Sequence, residues 1–280
     1  MRSIEKPSHE VSDVYKLCIS RVNDTDFKER LERCEGLVMA ASIEFEKYAK
    51  RNTFHELKSD TTLRGLVTPT EMVSVYTDRM AKKSSPGRSV YDAIMMLPKN
   101  GKCPFCGHRM VSTLDHYMPK AKFPILSVVP LNLVASCKDC NFEKRALEPT
   151  NSSDAPLHPY FDTIDDVTWL RAEVLESKPP AIEFSITRPD HWPEDLHTRV
   201  KNHFECLELH ILYGLNAAEE ISNIAYHLEM INLASGKSAV QSSLRDMARS
   251  RMRVDMNSWQ SALYVALSES DWFCDGGFLP

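Results

Sequence analysis

Hydrophobic positions recur at helical spacing along much of the chain. Within residues 10–51, Phe27, Leu31, Val38 and Phe45 follow one another at intervals of four or seven positions. Such intervals place side chains on one side of an α-helix, where they can pack against a core. The pattern therefore predicts that this part of the chain is helical.

Capping and breaking residues divide the N-terminal part into shorter segments. Asp24 or Thr25 is suited to begin a helix, because its side chain can accept a hydrogen bond from a backbone N–H of the first turn. A second helical pattern lies in "TEMVSVYTDRMAKK", and a third in "VYDAIMML", which ends before Pro98. We expect residues 1–98 to form an N-terminal helical region.

The C-terminal part is again helical by its pattern. "PEDLHTRVKNHFECLELHILYG" has Pro193 at a first helical position and Gly214 at its end. The next helix is expected to begin at Asn216, with Glu219 three residues later as in a capping box, and to end near Gly236. A third helix is expected beyond it.

The middle of the chain has a different pattern. Gly, Pro and Asn separate short β-prone runs such as "MVSTLDHY" and "ILSVV", and a helix is expected to open near Cys137. Further on, "AIEFSITRP" alternates as a strand does. The fold expected is mainly α with a small α+β insert, in which a module at 99–165 separates the helical region 1–98 from a mostly helical region at 166–280.

Composition narrows the class of protein. The chain has 280 residues, 42% hydrophobic and 26% charged, as in ordinary globular proteins. No run approaches the roughly 20 apolar residues that cross a bilayer, and "MRSIEKPSHE" carries charges where a signal peptide has an apolar core. We expect a cytoplasmic protein without a membrane partner, whose eight cysteines are reduced.

Four of these cysteines stand in two C-x-x-C pairs. Cys103 and Cys106 are separated from Cys137 and Cys140 by thirty residues. Each pair can present two sulfurs to one ion, and four thiolates complete a closed tetrahedral zinc site with no position left for a substrate. A structural zinc ion is therefore expected, the alternative being two unrelated pairs of buried cysteines.

Charge is unevenly distributed along the chain. Between Met80 and Arg145 eleven Lys and Arg residues stand against four acids, a net charge of +7 in a chain whose total is −5. A local cationic surface can attract phosphates, while acidic flanks limit indiscriminate binding. The alternative is an uneven surface charge without function.

Residues suited to catalysis lie in and beside the cysteine pairs. Asp115 and His116 end a strand-like run, Asn132 follows, and Asn141 comes directly after the last cysteine. A neutral histidine can take a proton from water, and Asp and Asn oxygens suit Mg²⁺ or Mn²⁺. Because adjacent strand residues face opposite sides, we expect a bulge or loop at Asp115 and His116.

The combination "CPFCG…LDHYMPK…PLNLVASCKDCNFEK" resembles the HNH endonucleases, the ββα-metal family. The resemblance implies that His116 is the general base and Asp115 a ligand of the catalytic Mg²⁺ or Mn²⁺. It implies that Asn132 pins the loop and orients His116, and that Asn141, where many members have His, is the second ligand on the following helix. The implied reaction is cleavage of DNA by water, leaving 5′-phosphate and 3′-hydroxyl ends.

A wider resemblance extends from "STLDHYMPKAKFPILSVVPLNLVASCKDCN" to "LHPYFD". It is similar to the HNH nuclease subunits of bacterial anti-phage systems of the Septu and retron-associated kind, in which the nuclease works beside an ATPase. The implied partners are nucleic acid and an ATPase. The helical flanks are large enough to bind such a partner or a second copy of the chain.

Additional residues are candidates for phosphate contact. Lys120, Lys144 and Arg145 could meet the nucleic-acid backbone, or form an ordinary solvated face, and His158 could contact the substrate or serve in packing. Two other functions stay open. One is cleavage of RNA such as tRNA, because the motif acts at phosphorus and not at the 2′-hydroxyl. The other is a non-catalytic, zinc-stabilised nucleic-acid-binding module.

Overall fold

The structure, a computed structural model, describes residues 1–144 and 149–279. The chain is mainly helical and divides into two compact units, Met1–Thr163 and Ile164–Pro280. The boundary expected after residue 165 lies close to this division, whereas the one expected after residue 98 falls inside the first unit. Among the described residues, no helix is both long and apolar enough to span a membrane.

The first unit combines six helices with one pair of strands, counting the α-helices and strands of its described residues. In chain order these are α1 (Val11–Ile19), α2 (Thr25–Arg33), α3 (Glu35–Arg51), α4 (Pro69–Tyr76), α5 (Arg88–Met95), β1 (Thr113–His116), β2 (Leu133–Ser136) and α6 (Lys138–Lys144). The expected helices of the N-terminal part are present. Asp24 caps α2, since its Oδ1 accepts a hydrogen bond of 2.9 Å from the Phe27 N–H.

The N-terminal helices are joined by polar contacts as well as by their apolar core. Arg30 on α2 forms a two-point ion pair with Glu71 on α4, with Nη2–Oε1 at 2.8 Å and Nη1–Oε2 at 3.1 Å. Glu71 also belongs to the capping box that begins α4, together with Thr68. The two contacts tie the start of α4 to α2, which positions the helix that runs towards the strand pair.

The strand pair lies against α5, which packs on both strands. β1 and β2 are antiparallel in unbroken register, from Thr113 opposite Ser136 to His116 opposite Leu133. No bulge interrupts this register at Asp115 and His116; instead β1 ends at His116 and the chain leaves the strand there. The β-prone run "ILSVV" is also not a strand: it contains the end of a 3₁₀ turn at Pro124–Leu126, where proline removes a ladder donor.

The second unit is a helical assembly with its own strand pair. Its elements are β3 (Leu170–Leu175), β4 (Ala181–Ile186), α7 (Glu194–Cys206), α8 (Leu209–Met252) and α9 (Trp259–Glu269). β4 confirms the strand expected from alternation, and it pairs antiparallel with β3. The buried faces of these strands pack against α8 and α9.

The expected ends of the C-terminal helices were partly wrong. The break between α7 and α8 lies at Glu208, whose φ is 49°, and Gly214 is inside α8. A Cβ on Gly214 would lie 3.5 Å from the carbonyl oxygen of Ile182, an ordinary contact distance, so nothing in its surroundings requires a glycine there. Asn216 is no cap, because its Nδ2 donates to the Leu212 carbonyl within α8. At Gly236 (φ 73°, ψ −174°), the helical geometry is interrupted within α8.

The Asn257 side chain joins two segments of the second unit, and its removal tests how much these contacts contribute to stability. The buried side chain accepts hydrogen bonds from the N–H groups of Trp169 (2.9 Å) and Leu170 (3.3 Å) and donates to the Val167 carbonyl (2.8 Å). Asn257→Ala should lower the free energy of unfolding by about 2–3 kcal/mol, because three backbone groups lose their partner. Urea denaturation measures this change, with Asn223→Ala on the exposed side of α8 as control. Equal losses in both variants would contradict the assignment.

Candidate metal centre and polar site

Two turns distant in the sequence bring four thiols together. The ligand atoms of Cys103, Cys106, Cys137 and Cys140, hereafter the thiol cluster, all lie within 4.8 Å of one another, and all four residues are buried. Four sulfurs at such mutual distances can surround a single ion such as Zn²⁺ in tetrahedral geometry. The spacing in the sequence thus identified a cluster capable of holding a metal.

The backbone of each turn supports the sulfurs. Gly107 has a φ of +64°, and its N–H donates to the Cys103 carbonyl at 2.7 Å, which closes the first turn in a left-handed conformation that suits glycine. The Arg109 N–H points at the Cys106 sulfur at 3.4 Å, and the Cys140 N–H at the Cys137 sulfur at 3.3 Å. Such donors stabilise negatively charged thiolates, the form that binds a metal.

Asn132 closes the loop that leaves β1. It is completely buried, its Oδ1 accepts from the Met118 N–H at 2.7 Å, and its Nδ2 donates to the carbonyls of Met118 (3.1 Å) and Leu126 (3.2 Å). Because Met118 lies two residues after His116, these bonds fix the chain on leaving the histidine. Asn132 therefore holds the loop in place rather than reaching into open space.

His116 is held in one orientation at the end of β1. Its Nε2 lies 2.9 Å from the Ser127 carbonyl oxygen, and Tyr76 meets the imidazole edge-on with ring centroids 4.4 Å apart. Only 8% of the residue is exposed. This burial, with the charge of Lys120 as the next cause, lowers the pKa of His116 to about 3. The imidazole is therefore neutral at neutral pH.

Asp115 and Lys144 form a buried ion pair. The Lys144 Nζ lies 3.2 Å from Asp115 Oδ2 and donates to the carbonyls of His116 (3.1 Å) and Tyr117 (3.0 Å). Burial raises the pKa of Asp115 to about 6, although the Lys144 charge opposes that rise. The expectation that Lys144 contacts phosphate is corrected here, because the side chain is 3% exposed and its ammonium is bound within the protein.

The remaining candidates occupy different settings. Asn141 is half-buried on α6, directly after the last cysteine of the thiol cluster. Lys120 is half-buried, with its Nζ 4.7 Å from the centre of the Tyr76 ring. The expected phosphate contact of Arg145 lies outside the described residues.

His158 is a packing residue rather than a phosphate contact, which corrects the expectation. It is fully buried, and its Nδ1 accepts from the Tyr160 N–H at 3.2 Å. Its imidazole packs against the rings of Phe45, Phe54, Tyr117, Tyr160 and Phe161. A ring enclosed in this way has no surface to offer a nucleic acid.

The motif did not indicate two residues that shape the site. Tyr76, at the end of α4, touches both the His116 ring and the Lys120 ammonium. Ser127 supplies the carbonyl that holds the imidazole, through its backbone. Nothing in the local spacing points to either residue, because a backbone carbonyl has no sequence signature and Tyr76 is forty positions away from His116.

Comparison with known proteins adds one relative. The chain is 29% identical over 238 residues to Protein ea31 of Escherichia phage lambda, and the alignment covers 79% of each chain. No family model matches the chain. No solved structure matches it either.

The thiol cluster predicts a metal-dependent fold for the first unit. Cys137→Ser should reduce the metal content below one equivalent per chain and lower Tm by about 10 °C or more, because ligand loss removes binding energy that is also folding energy. Elemental mass spectrometry and thermal unfolding measure both effects. Cys206→Ser, in the second unit and outside the cluster, should change neither; equal losses in the two variants would count against a bound metal.

The role of Asn132 predicts a large loss of stability on its removal. Asn132→Ala should lower the free energy of unfolding by about 2–3 kcal/mol, because buried backbone groups at Met118 and Leu126 lose their partner. Chemical denaturation of the metal-loaded protein measures the effect. Asn23→Ala, at an exposed position of the same unit, is the control, and a change as small as the control's would show that the loop does not depend on Asn132.

Proposed function

We propose that the protein is a metal-dependent endonuclease of the HNH, or ββα-metal, type that hydrolyses phosphodiester bonds in DNA. The observation that carries the proposal is the hydrogen bond between His116 Nε2 and the Ser127 carbonyl, at 2.9 Å. It determines which imidazole nitrogen can act as a base. The other polar residues support this assignment in distinct ways.

The Ser127 contact selects the tautomer of His116. A carbonyl oxygen only accepts hydrogen bonds, so Nε2 must carry the proton in the neutral ring. Nδ1 then has the lone pair and can take a proton from water as the water oxygen attacks phosphorus and the bond to the leaving oxygen breaks. A carbonyl partner of this kind holds the ring in the tautomer that a general base needs.

The environment of His116 keeps it neutral before substrate binds. Burial and the nearby Lys120 charge lower its pKa to about 3 in the protein alone. A bound phosphodiester brings negative charge close to the ring, which favours the protonated form and makes the imidazole a stronger base. The basicity of His116 is therefore higher in the complex with substrate than in the protein alone.

Asp115 and Asn141 would hold the catalytic Mg²⁺ or Mn²⁺. The donor set fits a hard cation: Asp115 Oδ2 is buried and accepts no hydrogen bond from the described residues, and Asn141 stands half-buried on α6. Such a cation, when bound, supplies charge that stabilises the phosphorane-like transition state and the leaving oxygen. The protein's part is to hold the carboxylate rigidly at the end of β1.

The thiol cluster would hold Zn²⁺ in a structural role. Four sulfurs complete the coordination of that ion and leave no place for substrate. The cluster joins the turn at Cys103 to the start of α6, the helix that carries Asn141. Its purpose would be to keep α6 in register with the strand pair that carries Asp115 and His116.

The charge of the stretch that carries the site suits a nucleic acid. Acids of this stretch are paired with its own basic residues, as in Arg88–Asp92 (2.8 Å), Arg109–Asp139 (2.8 Å) and Lys144–Asp115 (3.2 Å). Exposed lysines in the same stretch add positive charge beyond these pairs; these include Lys82, Lys83, Lys99 and Lys138. A cationic surface of this kind attracts a phosphate backbone.

The biological setting is a further part of the proposal. The resemblance to nucleases of anti-phage systems supports a cytoplasmic effector that acts beside an ATPase, with a homodimer as another possible assembly. The relative in phage lambda is a phage protein whose name states no activity. The defence role therefore has its support in the residues from Ser112 to Asp162 that carry the sequence resemblance.

A cleavage assay tests the proposal. Plasmid DNA, single-stranded DNA and total RNA are incubated with the protein and Mg²⁺ or Mn²⁺, with EDTA as the negative control. We expect His116→Gln to reduce DNA cleavage by about 100-fold or more, because the general base is lost. His191→Gln, at an exposed histidine of the second unit, should cleave as the original protein does.

Other results would change the conclusion. Cleavage of RNA but not DNA would change the proposed substrate to RNA and leave the proposed mechanism unchanged. Full activity in a folded His116→Gln protein would reject His116 as the base. No cleavage of any substrate by the original protein, even with partner proteins recovered from the native host by pull-down, would favour a non-catalytic nucleic-acid-binding module.

A further inference from the structure

Lys144 is a buried cation beside the carboxylate of Asp115. Asp115, His116 and Asn132 are hereafter called the polar site. The Lys144 Nζ donates to two backbone carbonyls, those of His116 at 3.1 Å and Tyr117 at 3.0 Å. Its third close oxygen is Asp115 Oδ2 at 3.2 Å. Since the backbone carbonyls are fixed by the end of β1, they determine the position of the ammonium, and Asp115 adds its charge to a site that is already defined.

The contact with Asp115 is an ion pair at 3.2 Å. Asp115 Oδ2 accepts no hydrogen bond of acceptable geometry from the described residues, although the ammonium lies 3.2 Å away. This oxygen is buried beside the ammonium. Its negative charge is already balanced by a neighbouring positive charge within the protein interior.

We propose that Lys144 is the internal counter-ion of Asp115 in the metal-free protein, and that its charge weakens the binding of a divalent cation at that carboxylate. The second part rests on the proposed function, which places the cation at Asp115. Lys144 is accordingly a positioning residue that acts through Asp115 and the end of β1, and not a group that touches the substrate.

Electrostatics determine the direction of the effect. A divalent ion on Asp115 would lie within several ångströms of the Lys144 ammonium, and like charges repel more strongly in a poorly solvated site. Lys144 cannot withdraw without leaving the carbonyls of His116 and Tyr117 without this donor. The repulsion is therefore not relieved by a small movement of the side chain.

The Lys144 charge also couples the binding of the cation to the binding of the substrate. A bound phosphodiester adds negative charge at the same place and offsets the repulsion between Lys144 and the cation. Cation and substrate then strengthen each other's binding, as linked ligands do. The protein would hold a divalent cation weakly when alone and more tightly when the nucleic acid is present.

A double-mutant cycle, carried out with no divalent cation bound at Asp115, tests the ion pair between Lys144 and Asp115. Lys144→Met and Asp115→Asn each leave one charge buried without its partner, so each should lower Tm. The double variant leaves neither charge and should lose less than the sum of the two single losses. Lys138→Met, at an exposed lysine on the same helix α6, should leave Tm unchanged. Additive losses would overturn the counter-ion assignment.

Direct cation binding tests the second part. Mn²⁺ affinity is measured by electron paramagnetic resonance on zinc-loaded protein, without nucleic acid, for the original chain, Lys144→Met, Lys144→Gln and Lys138→Met. We expect about tenfold or greater tightening in Lys144→Met and the same direction in Lys144→Gln, which can still donate to a backbone carbonyl. The Lys138→Met protein should bind as the original does.

The outcomes separate this inference from the proposed function. Mn²⁺ binding that is equal or weaker in folded Lys144 variants, with binding by the original chain intact, would overturn the inference and leave the nuclease proposal standing. Absence of Mn²⁺ binding in every protein, even with non-cleavable phosphorothioate DNA, would overturn both. If Lys144→Met fails to fold, the Lys144→Gln protein decides by the same criteria.

Discussion

The convergence of two cysteine turns is the constraint on which the centre of the first unit depends. Thirty residues separate the pairs, yet their sulfurs lie within 4.8 Å of one another. The intervening chain contains both strands and the loop between them, so the thiol cluster closes that segment at its two ends. The segment contributes buried apolar side chains such as Leu114, Phe123 and Leu133, and a shared ion can add binding energy that is also folding energy.

Buried polar groups then position the residues of the polar site. Asn132 satisfies the backbone of the loop after β1, and Lys144 satisfies the carbonyls at the end of that strand. Ser127 holds the imidazole of His116 through a backbone oxygen. Each contact lies in the protein interior, where loss of a hydrogen-bond partner strongly lowers the free energy of unfolding. The site is rigid for that reason, and His116 remains neutral while Asp115 lies beside an internal cation.

Some elements were accessible from the sequence because their signals are local. The caps and apolar spacing of the N-terminal helices, the alternation of β4 and the cysteine spacing each involve residues a few positions apart. The errors occurred where distant packing overrides such signals. Gly214 is typical of a helix end but lies inside α8, which packs against β4. The run "ILSVV" has strand-forming residues but lies in a loop held by Asn132.

The sequence by itself determined the mainly helical class, the thiol cluster and the set of polar residues beside it, because spacing and residue chemistry are enough to specify these features. Only the tertiary structure decided what each polar side chain faces. Lys144 points inward to Asp115, and His158 packs among aromatic rings. Tyr76, at the end of α4, contacts the ring of His116. The physical reason is that burial and charge pairing arise from segments far apart in the chain, which no local pattern records.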